Sequence, residues 1–348
     1  MPDVKPFVTD MPPVIFGTSG LGNLFVALPV EIKQEIVKQC IEHTKGKLVF
    51  DSAGKYGAGL ALESLGQCLR ALNVAPDEVI ISNKLAWVRT ELKTPEPTFE
   101  PGVWRDLKYD AVQKISYDGI LECFEQGNEL LNGYIPQMVS VHDPDEYLAK
   151  AQSPEEDKKL YKDILEAYRA LEVLKREGKT QSIGVGAKNW RSIERIANDV
   201  DLDWVMIANS MTIHSHPRPL LEFMKKLEDK GVQIINSAVF NAGYLIGGDY
   251  YNYKLIDPDA PENKALINWR EEYFKICAEF NIKPAEAAVQ FGLMAPGVTS
   301  IALSSSNPKR VKDNIAMAEI AIPEKFWQEM ISRNLMDEKF FDYTTGKP

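Results

Sequence analysis

A chain of 348 residues, 45% hydrophobic and 26% charged, suits two ordinary domains or one large α/β barrel and can bury a sizeable core. Its net charge of −10, from 40 basic and 50 acidic residues, disfavours a polyanionic partner such as nucleic acid. Cys40, Cys68, Cys123 and Cys277 lack CxxC or metal spacing and read as buried free thiols of a reducing compartment. Residues 1–10 carry no basic stretch followed by an apolar one, and no apolar run approaches the ~20 residues that span a bilayer. The expectation is a cytoplasmic protein with no membrane partner.

In chain order, Val14-Ile15-Phe16 is a short strand closed by the turn Gly17-Thr18-Ser19-Gly20-Leu21-Gly22. The glycines run GxxGxG rather than GxGxxG, and the next helix, 31–43, starts well downstream. The dinucleotide fingerprint, which needs a helix start at the pyrophosphate, is therefore not supported. Residues 47–50 form a second strand that runs into Asp51. Tyr56 follows in a loop carrying Gly54, Gly57 and Gly59, and 60–72 reads as a helix with Leu62, Leu65, Leu69 and Leu72 on one face. A third strand, 78–84, ends in Lys84. The proline-containing segment 88–109 has little periodicity and reads as a long loop, and 111–131 as a helix. The fourth strand, 137–142, ends in His142. Then come a helix over 153–175 stopped by Gly178, a strand at 182–185, a helix over 190–197, a strand at 204–207, a helix over 219–230 and a strand at 232–236. A second long loop, 240–262, carries Tyr244, Tyr250, Tyr251 and Tyr253. Helices over 265–280 and 284–294, an eighth strand at 300–303, a helix over 308–318, and a last helix from 326 with a disordered end complete the chain.

Eight strand–helix alternations without a dividing linker predict a (β/α)8 TIM barrel with long βα loops, as one domain over 1–348. Strand C-termini then share one mouth, which brings Asp51, Lys84 and His142 together with Tyr56. Singly, each reads as a turn cap or a satisfied charge. Together they suit proton transfer at a carbonyl or alcohol oxygen. A phenol is a poor acid or base near neutrality because its pKa is about 10. The expectation is that the ammonium of Lys84 lowers it, that Asp51 holds the lysine charged, and that His142 orients the reacting oxygen. The chain has no GxSxG for nucleophilic hydrolysis and no HExxH, so no metal is expected; His214 and His216 read as loop residues.

These residues carry a resemblance to the aldo-keto reductase family over nearly the whole chain. Asp51-Ser52-Ala53-Gly54-Lys55-Tyr56-Gly57 resembles the family's Asp-Thr-Ala-x-x-Tyr-Gly motif, and Asn83-Lys84, the Val-His-Asp-Pro-Asp run at 141–145 and Ser182-Ile183-Gly184-Val185 fall where its other signatures lie. The resemblance implies Asp51, Tyr56, Lys84 and His142 as a catalytic tetrad, with Tyr56 as proton donor in reduction and base in oxidation. It also implies a nicotinamide cofactor, NAD or NADP, lined by Ser304, Ser305, Arg310 and Asn314 at the adenine-phosphate end. An independent hint lies in the same place: a helix starting at Pro308, with Lys309 and Arg310 in its first turn, favours an anion there. The segment 236–243, with Ser237, Phe240 and Gly243, resembles the family's pyrophosphate loop. Asn189 and Asn209 are the candidates for the nicotinamide end, since the chain reads Gly186-Ala187-Lys188-Asn189 where the family usually has Ser-Asn. Ser304 stands where many NADP users carry a basic residue, which keeps NAD open. The Leu-Gly-Asn-Leu turn at 21–24 is similar to the branch that oxidises free aldoses (fucose, arabinose or galactose) at C1, with Phe25, Trp87 and Trp104 offering apolar faces to a sugar ring. The alternatives are an aldehyde or ketone reductase on the same scaffold and a cofactor-binding regulatory subunit. The sequence leaves monomer and homo-oligomer open.

Overall fold

The computed structural model describes residues 11–344; residues 1–10 and 345–348, on which the leader reading and the chain-end reading fall, lie outside the described residues. Eight parallel strands close into a ring: β1 (Val14–Gly17), β2 (Leu48–Ala53), β3 (Val79–Leu85), β4 (Met138–His142), β5 (Ser182–Ala187), β6 (Trp204–Ala208), β7 (Gln233–Ser237) and β8 (Val298–Ser304). Each strand pairs with its neighbours in chain order, and β8 pairs with β1. This is the (β/α)8 barrel that the alternation predicted, with no open sheet edge in the ring.

The pleat decides what fills the barrel, because successive side chains on a strand face opposite sides. On β2, Leu48 and Phe50 pack with Ile36, Val37, Leu62 and Leu65 of the surrounding helices, while Val49 packs with Ile15, Met138, Trp204, Met206 and Ile235 inside the ring. On β3 and β4 the same alternation sends Ile81, Val139 and Val141 outward and leaves Ile80 and Met138 against the inner plug. Two residues further along each inner row come polar groups: Asp51 on β2, Ser82 and Lys84 on β3, Ser140 and His142 on β4. An apolar plug thus closes one end and titratable groups crown the other. Gly184 belongs to the plug's construction. A Cβ there would lie 2.3 Å from the Trp204 ring, so glycine leaves the room that the indole fills.

Three stretches differ from expectation; in one of them, the expected loop 240–262, Tyr250–Tyr251 and Lys254–Leu255 pair as a short antiparallel hairpin. Residues 88–109 are not simply a loop, and 111–131 is not one helix. Trp87–Glu91 and Tyr109–Gln113 pair as an antiparallel hairpin, and the helix begins at Tyr117, capped by Ser116, whose Oγ accepts from Gly119 N–H at 3.0 Å. Tyr109–Gln113 pairs with Trp87–Glu91 rather than joining the helix, and the Ser116 cap sets the helix start. The chain between the hairpin strands docks on the β1 loop, with Phe25 N–H donating to Val103 O at 2.9 Å and Arg105 N–H to Asn23 O at 3.0 Å. The third difference is at 308–318, where one helix was expected. There the chain forms a 3-10 turn (Pro308–Arg310), a short helix (Val311–Ala316) and another 3-10 turn (Met317–Glu319). The four cysteines are free and buried. Among the described residues, no helix is long and apolar enough to cross a membrane.

Candidate active site

At the mouth, Lys84 Nζ pairs with Asp51 Oδ2 and donates to Ser52 O at 3.3 Å, while Asp51 Oδ1 accepts from Ser82 Oγ at 3.0 Å. Both charges are 2% exposed. A buried pair of this kind holds only when each partner is hydrogen-bonded, as here. Tyr56 is set over it by a loop in the left-handed backbone region, with φ of +61° at Gly57 and +82° at Gly59. The β1 turn presses against that loop. A Cβ on Gly57 would lie 2.3 Å from Gly22 O, and one on Gly22 would lie 2.9 Å from the Tyr56 carbonyl. The glycine-rich turn therefore serves close loop-on-loop packing rather than a phosphate cradle. Lys84 Nζ lies 4.8 Å from the centroid of the Tyr56 ring. The His142 ring meets Tyr56 edge-on at 5.6 Å, and Trp104 leans on it at 5.8 Å. The four residues that the sequence singled out do come together.

Their protonation differs from expectation in one respect. Burial, reinforced by the Asp51 carboxylate, raises the Tyr56 phenol well above its ordinary value. The expected lowering by a nearby ammonium is overturned because desolvation of the phenolate is the larger effect and Lys84 is already committed to Asp51. Burial, then the cations of Lys84, Lys55 and Lys188, lowers His142 well below the usual histidine range, so its imidazole is neutral. Its Nδ1 is buried without a hydrogen-bond partner among the described residues.

The sequence reading missed a charged cluster beside these rings. Lys55 Nζ, buried, lies 2.8 Å from Glu100 Oε1, 3.1 Å from Asp143 Oδ2 and 2.9 Å from Glu146 Oε2. Lys188 pairs with Glu146 Oε1 and lies 3.8 Å from Asp143 Oδ2. That same Asp143 oxygen is 3.6 Å from His142 Nε2. Burial alone would lower Lys55, but Asp143, Glu100 and Glu146 outweigh it and hold the ammonium well above its ordinary value. The only sequence signals were Lys55 inside the tyrosine motif and the Asp-Pro-Asp run after β4, and neither announces its partners.

Of the other predicted positions, Trp104 touches Tyr56 and donates its Nε1–H to Glu100 Oε2 at 2.7 Å; Trp87 lies under Lys55, 5.3 Å from its Nζ. Phe25 is 50% exposed and stacks on Tyr250 at 6.2 Å. Asn209 and Ser237 are adjacent, with Asn209 N–H donating to Ser237 O at 3.2 Å, and the buried Asn209 Oδ1 has no partner among the described residues. Phe240 is half-buried, and Gly243, at φ +95°, faces open space. Asn189 is exposed, and its Oδ1 caps the helix Trp190–Asp199 by accepting from Arg191 N–H at 3.1 Å. Ser304 Oγ meets Ser19 Oγ at 3.1 Å, and Ser305 and Asn314 line a crevice between β1, β8 and the helix Val30–His43. The expected helix dipole at Pro308 is weak, because the first turn is 3-10 and Asn307 Oδ1 already accepts from Lys309 N–H. Lys309 and Arg310 remain exposed, with no carboxylate partner among the described residues. His214 and His216 are structural, bonded to Tyr251 OH at 2.9 Å and to Asp337 N–H at 3.1 Å.

A closed parallel barrel with a phenol, a buried lysine–aspartate pair and a neutral imidazole at one mouth suits proton transfer at a carbonyl or alcohol oxygen. The chain belongs to the aldo/keto reductase family, whose profile matches residues 13–334. It is 25% identical over 330 residues to pyridoxal 4-dehydrogenase of Microbacterium luteolum, covering 92% of this chain and 93% of that one. It is 24% identical to D-threo-aldose 1-dehydrogenase of a Pseudomonas species, covering 94% and 95%, and 22% identical to L-galactose dehydrogenase of Arabidopsis thaliana, covering 86% and 82%. An aldo-keto reductase of Bacillus halodurans in its holo form shares the fold at a TM-score of 0.65 and 18% identity, covering 93% and 92% of the two chains. The protein is an NAD(P)-dependent oxidoreductase acting on a small carbonyl or alcohol. Its residues fit such a cofactor: the unpartnered amide oxygen of Asn209 suits a carboxamide, and the unpaired Lys309 and Arg310 suit a phosphate.

Proposed function

We propose that this protein oxidises the C1 hydroxyl of a cyclic aldose to the lactone, with Tyr56 as general base. The observation that carries this reading is the Tyr56 ring held between Lys84 and His142, in a mouth walled by charged rather than aliphatic side chains. His142, neutral, hydrogen-bonds the C1 oxygen and aims it at Tyr56. Lys84, paired with Asp51, lies 4.8 Å from the centroid of the Tyr56 ring, and Tyr56 takes the C1 hydroxyl proton. When bound, the nicotinamide supplies the two-electron acceptor for the C1 hydride. Asn209, Ser237, Phe240 and Gly243 would hold its nicotinamide and pyrophosphate portion, and Ser304, Ser305, Arg310 and Asn314 its adenine-phosphate end.

The relatives' names support this substrate class. D-threo-aldose, L-galactose and pyridoxal all carry a hydroxyl that can close onto their own aldehyde as a cyclic hemiacetal, whose oxidation gives a lactone. A screen of aldoses with NAD and NADP side by side, following reduced nicotinamide, tests the reading. Turnover on aldoses supports it. Turnover confined to reduction of simple aldehydes would replace it with a carbonyl reductase, and cofactor binding without any turnover with a regulatory subunit.

A further inference from the structure

The charged cluster is more than scaffolding, because its members differ in what they have left to offer. An ammonium has three donors. Lys55 is 3% exposed and has three carboxylate partners, Glu100, Asp143 and Glu146. Its valences are spent, and its place is structural: it ties the Tyr56 loop to the β4 loop and to the hairpin. Lys188 and Glu146 are different. Their side chains are 36% and 37% exposed, and they pair with each other at the open side of the cluster. Among the described residues, Lys188 Nζ has Glu146 and, at 3.8 Å, Asp143 as carboxylate partners, so a donor remains. Each Glu146 oxygen takes one lysine and keeps a second lone pair. One lysine and one carboxylate side by side, each with a valence to spare, match the donor–acceptor pattern of two neighbouring hydroxyls.

Their position relative to the chemistry is fixed by one atom. Asp143 Oδ2 lies 3.6 Å from His142 Nε2 and 3.8 Å from Lys188 Nζ. A closed circuit of contacts runs from Tyr56 to Trp104, to Glu100, to Lys55, to Asp143, to His142 and back to Tyr56. The pair therefore sits across Asp143 from the imidazole that faces the reacting oxygen, where the carbons next to C1 would extend. Tyr253, 47% exposed, lies with its ring 5.5 Å from Lys188 Nζ and offers an apolar face beside the pair.

We propose that Lys188 and Glu146 form the specificity subsite of this enzyme, reading a vicinal pair of ring hydroxyls on the aldose, with Lys55 as the positioning residue that holds Glu146 and Asp143 in place. The proposal rests on the aldose reading above. A site that hydrogen-bonds a substrate hydroxyl rejects the analogue lacking it, because its own polar groups are then left unpaired.

The test is a comparison of kcat/KM for the best aldose with that for its 2-deoxy and 3-deoxy forms, in the wild type, Lys188→Met and Glu146→Gln. A ratio of two substrates on one enzyme does not depend on how much of a variant folds. In the wild type one deoxy form is expected to be poorer by about 10–100-fold, the loss of one charge-assisted hydrogen bond. In both variants that ratio should collapse toward one. A wild-type ratio near one for both deoxy sugars, or an undiminished ratio in both variants, overturns the subsite while leaving sugar oxidation intact. Absence of aldose turnover in the wild type overturns the aldose reading and the subsite with it.

Discussion

The two sides of the barrel mouth are built on opposite plans. Around β2, β3 and β4, charges are buried and matched: Lys84 with Asp51, Lys55 with three carboxylates, and the loops locked by the Gly22–Gly57 contact. Around the end of β8, Lys309 and Arg310 are exposed with no carboxylate partner among the described residues, on a chain of short 3-10 and α turns. The first side is organised before anything binds, as chemistry that depends on fixed dipoles requires. The second carries charge that favours an anion, as a face for a phosphate-bearing ligand requires. Changes on the first side should strike turnover and stability, and changes on the second cofactor affinity.

The largest effect is expected from Lys84→Met. It leaves the buried Asp51 carboxylate without its cation, which costs about 3–5 kcal/mol of stability. Turnover should fall about 10²–10⁴-fold with it. Denaturant unfolding and steady-state kinetics on the same preparation read both; an unshifted midpoint would break the claim of an organised side. Gly22→Ala comes next. Its Cβ would lie 2.9 Å from the Tyr56 carbonyl, so the loop must shift, and a displacement of about 1 Å costs on the order of 100-fold in kcat. Wild-type kcat in that variant would show that the contact does not hold the phenol.

Arg310→Ala sharpens the other half. Losing one exposed cation–phosphate contact should weaken cofactor binding about tenfold, with kcat little changed. Fluorescence titration of the cofactor reads it, and an effect on kcat alone would contradict the division. The smallest expected effect is a slope in pH. The raised phenol means that Tyr56 is protonated at neutrality and serves as an acid, so oxidation, which needs the base, should quicken steadily as pH rises through the alkaline range. The lowered His142 means no loss of rate as pH falls through 6.5, since the imidazole stays neutral there. A rate profile with an acid limb near 6.5 would contradict the second statement.

What the sequence revealed and what it hid follow the same division. The eight strands were legible because apolar runs ending in a polar residue recur between amphipathic helices. Asp51, Lys84 and His142 were legible because each is a titratable residue at or near the C-terminal end of a strand. The hairpin at 87–113 was hidden because neither Trp87–Glu91 nor Tyr109–Gln113 alternates apolar and polar residues as a half-buried strand does. The helix cap at Asn189 was legible, because an asparagine just before a helix is an N-cap signal. The Lys55 cluster was out of reach, since its members come from positions 55, 100, 143, 146 and 188 and no local spacing links them. The direction of the Tyr56 shift was out of reach for a related reason, because burial belongs to the assembled mouth.

The central claim is that the phenol on the β2 loop moves the proton while other residues hold the cofactor. Tyr56→Phe, measured for aldose-dependent nicotinamide reduction and for cofactor dissociation constant, tests it most directly. Turnover reduced about 10²–10⁴-fold with an unchanged dissociation constant is the expected result. Full turnover in the phenylalanine variant would contradict it.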